Sequence, residues 1–221
     1  LNTQTHLLLA AGLLCRSSKT EPKSSTGAVG TNSSVKRVNL AVLIGALLPD
    51  ISLFIMWGQA KARGIEDAVI WQDLYFSEFW QEIGAITNSI PLYFSIAVAG
   101  FLLGGRIWLK QSGAVNTKLW GQILVFLSIA ALVHCMTDLP LHVDDGHAHF
   151  WPFSNWIFES PVSYWDSKHY AYYWQPLEIL LALVCVVTIY RRFSSVWVRV
   201  VAIASLLSYG ILIAFWTYTM G

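Results

Sequence analysis

Four of the chain's six histidines and three of its thirteen acids fall in one stretch, HCMTDLPLHVDDGHAHFWPFS, residues 134 to 154. His134 and Asp138 stand four residues apart, so a helix would present both on one face. His142, Asp144, Asp145, His147 and His149 follow at once. The stretch begins where an apolar run, GQILVFLSIAALV, ends. An ionised side chain inside a membrane helix costs on the order of 2.5–3.5 kcal/mol on insertion scales, and is tolerated when it pairs, lines a wet cavity or binds an ion. Imidazole and carboxylate with almost no Lys or Arg among them suit a divalent metal ion, zinc before others. Each feature alone has a plainer reading. His134 and Asp138 can be a hydrogen-bonded helix pair, DDGHAH a solvated acidic loop, and Asp50 a helix cap after Pro49.

The elements that must position these groups are apolar helices. The chain has 221 residues, 55% hydrophobic and 12% charged, with a net charge of +1 and mean hydropathy +0.52. A soluble domain carries about 25% charged residues. Runs near 39–57, 90–109, 119–138 and 195–219 are long enough to span a bilayer, and 174–190 is slightly short but ends in Arg191 and Arg192. The stretch from Thr5 to Leu14 is about half a span and reads as a short helix packed on the others. The expected fold is therefore all-α: a polytopic transmembrane helical bundle, about five spanning helices plus a short N-terminal helix, forming a single membrane domain over 1–221. No basic stripe with interleaved aromatics is present, which argues against nucleic acid as a partner. Cys15, Cys135 and Cys185 share no close spacing and lie in or beside apolar runs, so they read as packing residues. The run before Cys15 has no preceding Lys or Arg, so it reads as mature structure rather than a cleaved signal.

Charge sets the expected orientation. Eleven of the fourteen Lys and Arg lie in segments 16–37, 106–118 and 191–199. Segments 58–88 and 139–173 hold only Lys61, Arg63 and Lys168. The bias places 16–37 as a flexible cytoplasmic loop and 58–88 and 139–173 as external loops. GIEDAVIWQDLYFSEFWQE reads as an external amphipathic helix with an acidic face. Gly100 and Gly104 have the spacing that lets helices approach closely, although two incidental glycines fit as well. On this topology His6, Asp50, the 134–149 cluster and Glu178 all come to the external level.

THLLLAAGLL, GALLPDISLF, NSIPL and HCMTDLPLHVDDGHAHFWPFSNWIFESPVSYWD together resemble the membrane-bound metal-dependent hydrolases that include the LexA-regulated inner-membrane proteins. That group is itself distantly similar to the phospholipase C/P1 nuclease fold. The resemblance covers most of the chain and implies a bacterial inner-membrane protein that hydrolyses a phosphoester or lipid-like substrate. It matches His6 and the Asp50 of L-P-D to family positions, together with His134 and Asp138. Two departures stand out. The family's H-R-G-x-T-H-S stretch is AITNSIPL here, with Asn88 and Ser89, and the second acid of L-P-D-x-D is Ser52. Trp174, four before Glu178, stands where the distant zinc enzymes place a histidine.

The expected site is thus an outward-facing metal centre. His6, Asp50, His134 and Asp138 would ligate, with His142, His147 and His149 as further ligands. Asp144 or Asp145 would serve as general base, and Asn88 and Glu178 would contact substrate or support the ligands. The reaction expected is metal-dependent hydrolysis of a phosphoester or ester, with a small-molecule or lipid-like substrate and the lipid bilayer as partners. The competing expectation is a non-catalytic membrane protein that uses the same cluster for structure, metal handling or transport.

Overall fold

Proline decides where the helices of this chain break, and the breaks shape the bundle. The computed structural model describes residues 1–17, 30–108 and 115–220. After α1 (Thr3–Leu14) comes α2 (Gly30–Leu47), which ends just before Pro49; α3 (Ile51–Ala62) leaves the break at 65° to it. A helical residue before proline is sterically disfavoured and proline itself has no N–H to continue the ladder, so the chain turns here. A short helix α4 (Asp67–Val69) runs into a π turn (Ile70–Leu74) before α5 (Glu78–Thr87) and α6 (Ile90–Trp108). Next come α7 (Val115–Asp138), a 3₁₀ turn at Leu139–Leu141, a second at Ser167–His169, α8 (Ala171–Arg192) and α9 (Val196–Met220).

The second break, between α5 and α6, follows from Pro91. Its ring removes the hydrogen bond that Thr87 O would receive, and the Tyr93 hydroxyl donates to that carbonyl instead at 2.7 Å. Ser89 Oγ caps α6 by accepting from Leu92 N at 3.1 Å. Residues 139–170 fold over this break. Ile90 N donates to His149 O, and the Ser89 hydroxyl donates to Trp151 O. Ser160 N and Tyr164 N donate back to His142 O and Leu141 O, closing the segment on itself.

Three helical stretches among the described residues are long and apolar enough to cross a membrane: Glu78–Gly104, Thr117–Leu141 and Ala171–Arg192. The bent pair α2–α3 makes a fourth if it counts as one span. The expected number was about five. The remaining expected run is α9 (Val196–Met220), 25 residues long, whose side chains are described only over Val196–Ile211, an apolar stretch of less than a span. The stretch at 174–190 is longer than expected because the helix starts at Ala171. Helix α2 already begins at Gly30, so the segment expected as a loop over 16–37 is helical from there on, and 18–29 lies outside the described residues. The acidic segment 64–82 is broken by the π turn rather than continuous.

Glycine lets the spans meet. A Cβ on Gly121 of α7 would lie 2.7 Å from Gly100 O and Gly104 N of α6, so the Gly100/Gly104 pair packs backbone to backbone on α7. Gly45 of α2 meets Leu127 O of α7 more closely still. Cys15, Cys135 and Cys185 are buried in three different apolar clusters. Outward faces are apolar: Phe94, Phe101, Leu180, Val184 and Leu207 are exposed, as lipid-facing side chains are.

Candidate metal centre

Helix α1 enters the bundle between α2, α7 and α8 and brings His6 to the end of α7. There His6 Nε2 lies 3.0 Å from Asp138 Oδ1, and His134 Nε2 lies 3.3 Å from Asp138 Oδ2. The two imidazoles stack with centroids 3.5 Å apart and planes 11° from parallel. Asp50, at the Pro49 break, puts Oδ1 3.5 Å from His134 Nε2, while its Oδ2 accepts from the Thr3 hydroxyl at 2.6 Å. His6, His134 and Asp138 are all buried and offer ligand atoms within 4.8 Å of one another. They form a cluster able to coordinate a metal ion.

The ring tautomers sharpen this. His134 Nδ1 lies 2.8 Å from Ala46 O, a carbonyl exposed where α2 ends; a carbonyl only accepts, so Nδ1 carries the proton. Nε2 then bears a lone pair, buried and with no hydrogen-bond partner, aimed at two carboxylates. His6 differs: its Nε2 donates to Asp138 Oδ1 at 3.0 Å, while its Nδ1 lies 3.4 Å from the Thr137 hydroxyl. The His134 lone pair, set against two carboxylates, calls for a proton or a metal ion between them. Protonating both rings is a poor answer: two stacked imidazolium charges 3.5 Å apart repel by about 5 kcal/mol at an effective dielectric of ~20. One divalent cation, taking the place of the His6 Nε2 proton, would be held by both rings and Asp138. A ligating histidine whose other nitrogen donates to a backbone carbonyl is the usual way metal ligands are oriented. The backbone nitrogen of Leu1 also donates to Asp138 Oδ1, at 2.6 Å.

The loop extends the cluster. His142 Nε2 lies 3.4 Å from Asp138 Oδ2, and its Nδ1 lies 3.0 Å from Asp145 Oδ1; Asp145 Oδ2 accepts from the Trp165 indole at 2.8 Å. Burial alone would lower the His142 pKa, but the close carboxylates of Asp138 and Asp145 outweigh it and raise it to about 9. Burial likewise works to raise Asp145, yet the His142 contact and the Trp165 N–H hold it below the ordinary carboxylate value. His147 sits with its ring centroid 6.2 Å from those of His142 and His149. Burial first, then the charges of its two histidine neighbours, push it down to about 4. His149 is also lowered by burial; its Nδ1 donates to Asn88 O at 3.0 Å, a carbonyl left open by the α5–α6 break.

His6, Asp50, His134 and Asp138 therefore meet, and His142 carries Asp145 into the same group. Asp144 is exposed, on the solvent side of the loop. Asn88 is buried and spends its amide on Pro49 O and Gly84 O, bracing the two breaks against each other. Glu178 belongs to another polar knot: it accepts from Asn2 N at 2.7 Å, from the Asn2 amide, from the Thr5 hydroxyl and from the Tyr209 hydroxyl at 2.9 Å. The Thr5 and Tyr209 hydroxyls also touch each other. Glu178 thus ties α1 to α8 and α9 one residue from His6. Sequence reasoning did not single out Thr3, Asn2, Thr5, Thr137, Trp165 or Tyr209. Only the prolines hinted at the free carbonyls of Ala46, Pro49 and Asn88.

Fold and site together define an α-helical integral membrane protein with a buried His/His/Asp cluster able to coordinate a metal ion. Residues 1–217 match the family model described as YdjM inner membrane protein, and the chain belongs to that family, a distant hydrolase-like group of bacterial inner-membrane proteins. No curated protein and no solved structure is detectably similar to it.

Proposed function

We propose that this protein is a membrane-bound metal-dependent hydrolase, acting on a phosphoester or ester of small-molecule or lipid-like character, with zinc as the metal. The observation that carries the reading is the buried, unpartnered Nε2 of His134 between Asp50 and Asp138. His6, His134 and Asp138 would hold the cation, with Asp50 beside them. When bound, such an ion supplies Lewis acidity towards water and towards a phosphoryl or carbonyl oxygen. The chain's own groups do the remaining work. Ala46 O keeps the His134 proton on Nδ1, and the Thr3 hydroxyl fixes the Asp50 carboxylate. Asp145 and His142 form a paired acid and base at the loop side of the cluster, able to take a proton and hand it on. Asp145 rather than Asp144 fits the general-base role, because it alone of the two reaches the cluster, through His142.

Orientation follows the Lys/Arg bias, with the metal end outside. Arg16, Lys36, Arg37, Lys118, Arg191 and Arg192 cluster by helix direction at the other end; Lys19, Lys23, Lys110 and the Arg106 side chain lie outside the described residues. Counting α2–α3 and α9 as crossings gives the five spans first expected.

A second reading rests on burial. His6 and His134 are each 1% exposed and Asp138 is 6% exposed, as in a structural metal site closed by protein. One experiment separates the two. Protein purified in detergent is assayed for metal by mass spectrometry, and for turnover on phosphodiester and ester substrates in mixed micelles, with His134→Ala and Asp138→Ala alongside. An enzyme retains close to one ion per chain and turns over substrate, and both variants lose both properties. Metal without turnover favours the structural site. Absence of metal in the wild type, after zinc loading, overturns both.

A further inference from the structure

At the end of the bundle away from the His/Asp cluster, a cavity of about 400 Å³ opens between the ends of α1 and α8 and the middle of α7. Leu13, Leu14 and Phe126 form apolar walls, and Arg16 and Arg192 line the same space. Both cations are held in place by the chain. Arg16 N donates to Asn39 Oδ1 at 2.9 Å and the Asn39 amide donates to Arg16 O at 2.8 Å, which pins the residue to α2. Its guanidinium lies over the Phe126 ring, 5.2 Å from the centroid. Arg192 Nη1 donates to Cys15 O at 2.8 Å, a carbonyl at the end of α1. Among the described residues, no carboxylate forms an ion pair with either arginine. Two guanidiniums with most of their donors uncommitted among the described residues call for an anion with several acceptor oxygens, and phosphate matches that fork geometry.

The depth of the cavity selects the source of the phosphate. Arg192 is the last residue of a membrane-spanning stretch, at the edge of the hydrocarbon. Phe126 lies about 9 Å along α7 from the exposed Trp120, towards the bilayer centre. Leu13 is 61% exposed, so the apolar wall continues onto the lipid-facing surface. The cavity is thus cationic at headgroup level and apolar just below, the profile of a site for one amphiphile with a charged head. We propose that Arg16 and Arg192 bind the phosphate of an anionic glycerophospholipid, with an acyl chain laid along Leu13 and Phe126. The site is independent of the metal centre.

The test uses the full chain in detergent and native mass spectrometry, with phosphatidylglycerol, phosphatidylcholine and inorganic phosphate as separate probes. Wild type retains phosphatidylglycerol in preference to phosphatidylcholine, and millimolar phosphate does not displace it. The double variant R16Q/R192Q loses at least ~10-fold in retention, as expected for charge-assisted hydrogen bonds, while R191Q, a charge change at the neighbouring exposed arginine, behaves as wild type. The proposal is overturned if phosphatidylcholine is held equally or the double variant retains as much as wild type. It also fails if R191Q loses as much, or if phosphate displaces the lipid, which would mark a site for the free anion. Should the double variant not fold, a photoactivatable phosphatidylglycerol on wild type decides: crosslinks on peptides carrying Leu13 or Phe126 support the site, and crosslinks only elsewhere overturn it.

Discussion

His134 concentrates the chemistry of this molecule in one atom. Its Nδ1–H is committed to Ala46 O, so removing the ring removes both a ligand and a tether between α7 and the end of α2. His134→Ala is expected to abolish stoichiometric metal, read by mass spectrometry, whereas Asp50→Asn, which keeps an acceptor for the Thr3 hydroxyl, should weaken metal retention without abolishing it. The loop histidines predict a pH profile for the chelated protein. His147 is lowered to about 4, so from 6.5 down to 4 the unfolded chain binds the proton that the folded chain refuses, and stability falls with acidification by on the order of 3 kcal/mol. His142 is raised to about 9, so its contribution is complete below 6.5 and is lost as pH climbs through 9. Thermal melts in detergent with chelator should therefore peak near pH 6.5. His147→Phe should flatten the acid limb and His142→Gln the alkaline one; unchanged limbs in both variants would refute these assignments. At this scale sequence reasoning reached far for His134 and Asp138, whose four-residue spacing announces a shared helix face. It could not separate Asp144 from Asp145, because which of two adjacent loop acids turns inward depends on Trp165 and His142, contacts that no periodicity encodes.

The helices act through where they stop. Pro49 and Pro91 each free carbonyls beside the cluster, and those carbonyls are spent on it. Ala46 O orients His134, Asn88 O orients His149, and Thr87 O takes the Tyr93 hydroxyl. Tyr93→Phe leaves the half-buried Thr87 O without that donor and should cost about 1 kcal/mol of stability in a detergent melt. Close packing makes a second demand. Any side chain on Gly45 meets Leu127 O and one on Gly121 meets the α6 backbone, so Gly45→Val and Gly121→Val should each lower the melting temperature sharply or prevent accumulation in the membrane. Gly104→Ala is the mild control, since its Cβ finds ordinary contact at 3.8 Å. Helix positions were legible from apolar runs because a bilayer imposes length. The break in the acidic segment and the joining of α5 to α6 in one apolar stretch were not, since both turn on how Ser77, Asn88 and Ser89 bond locally.

Across the whole molecule, most of the described basic side chains lie in the segments opposite the imidazoles, with Lys61, Arg63 and Lys168 as the exceptions, which gives a direct test of topology. Ser154→Cys, in the exposed loop, should react with a membrane-impermeant maleimide in intact cells, and Lys118→Cys only after lysis; the reverse pattern would put the metal centre on the cytoplasmic side. The overall class was readable from composition and run length alone. The number of crossings was less so, because a bent pair such as α2–α3 has the residues of one span without its shape. Asp138 and the imidazole that meets it stand 132 positions apart in the chain. A ribosome thus delivers α1 well before α7 exists to receive it. Until then His6 lacks its carboxylate partner, and the cluster closes only once the downstream helices have been threaded into place. Chains halted before Asp138 should be cleared quickly by membrane proteases, and pulse-chase decay of stalled against completed chains would register that vulnerability.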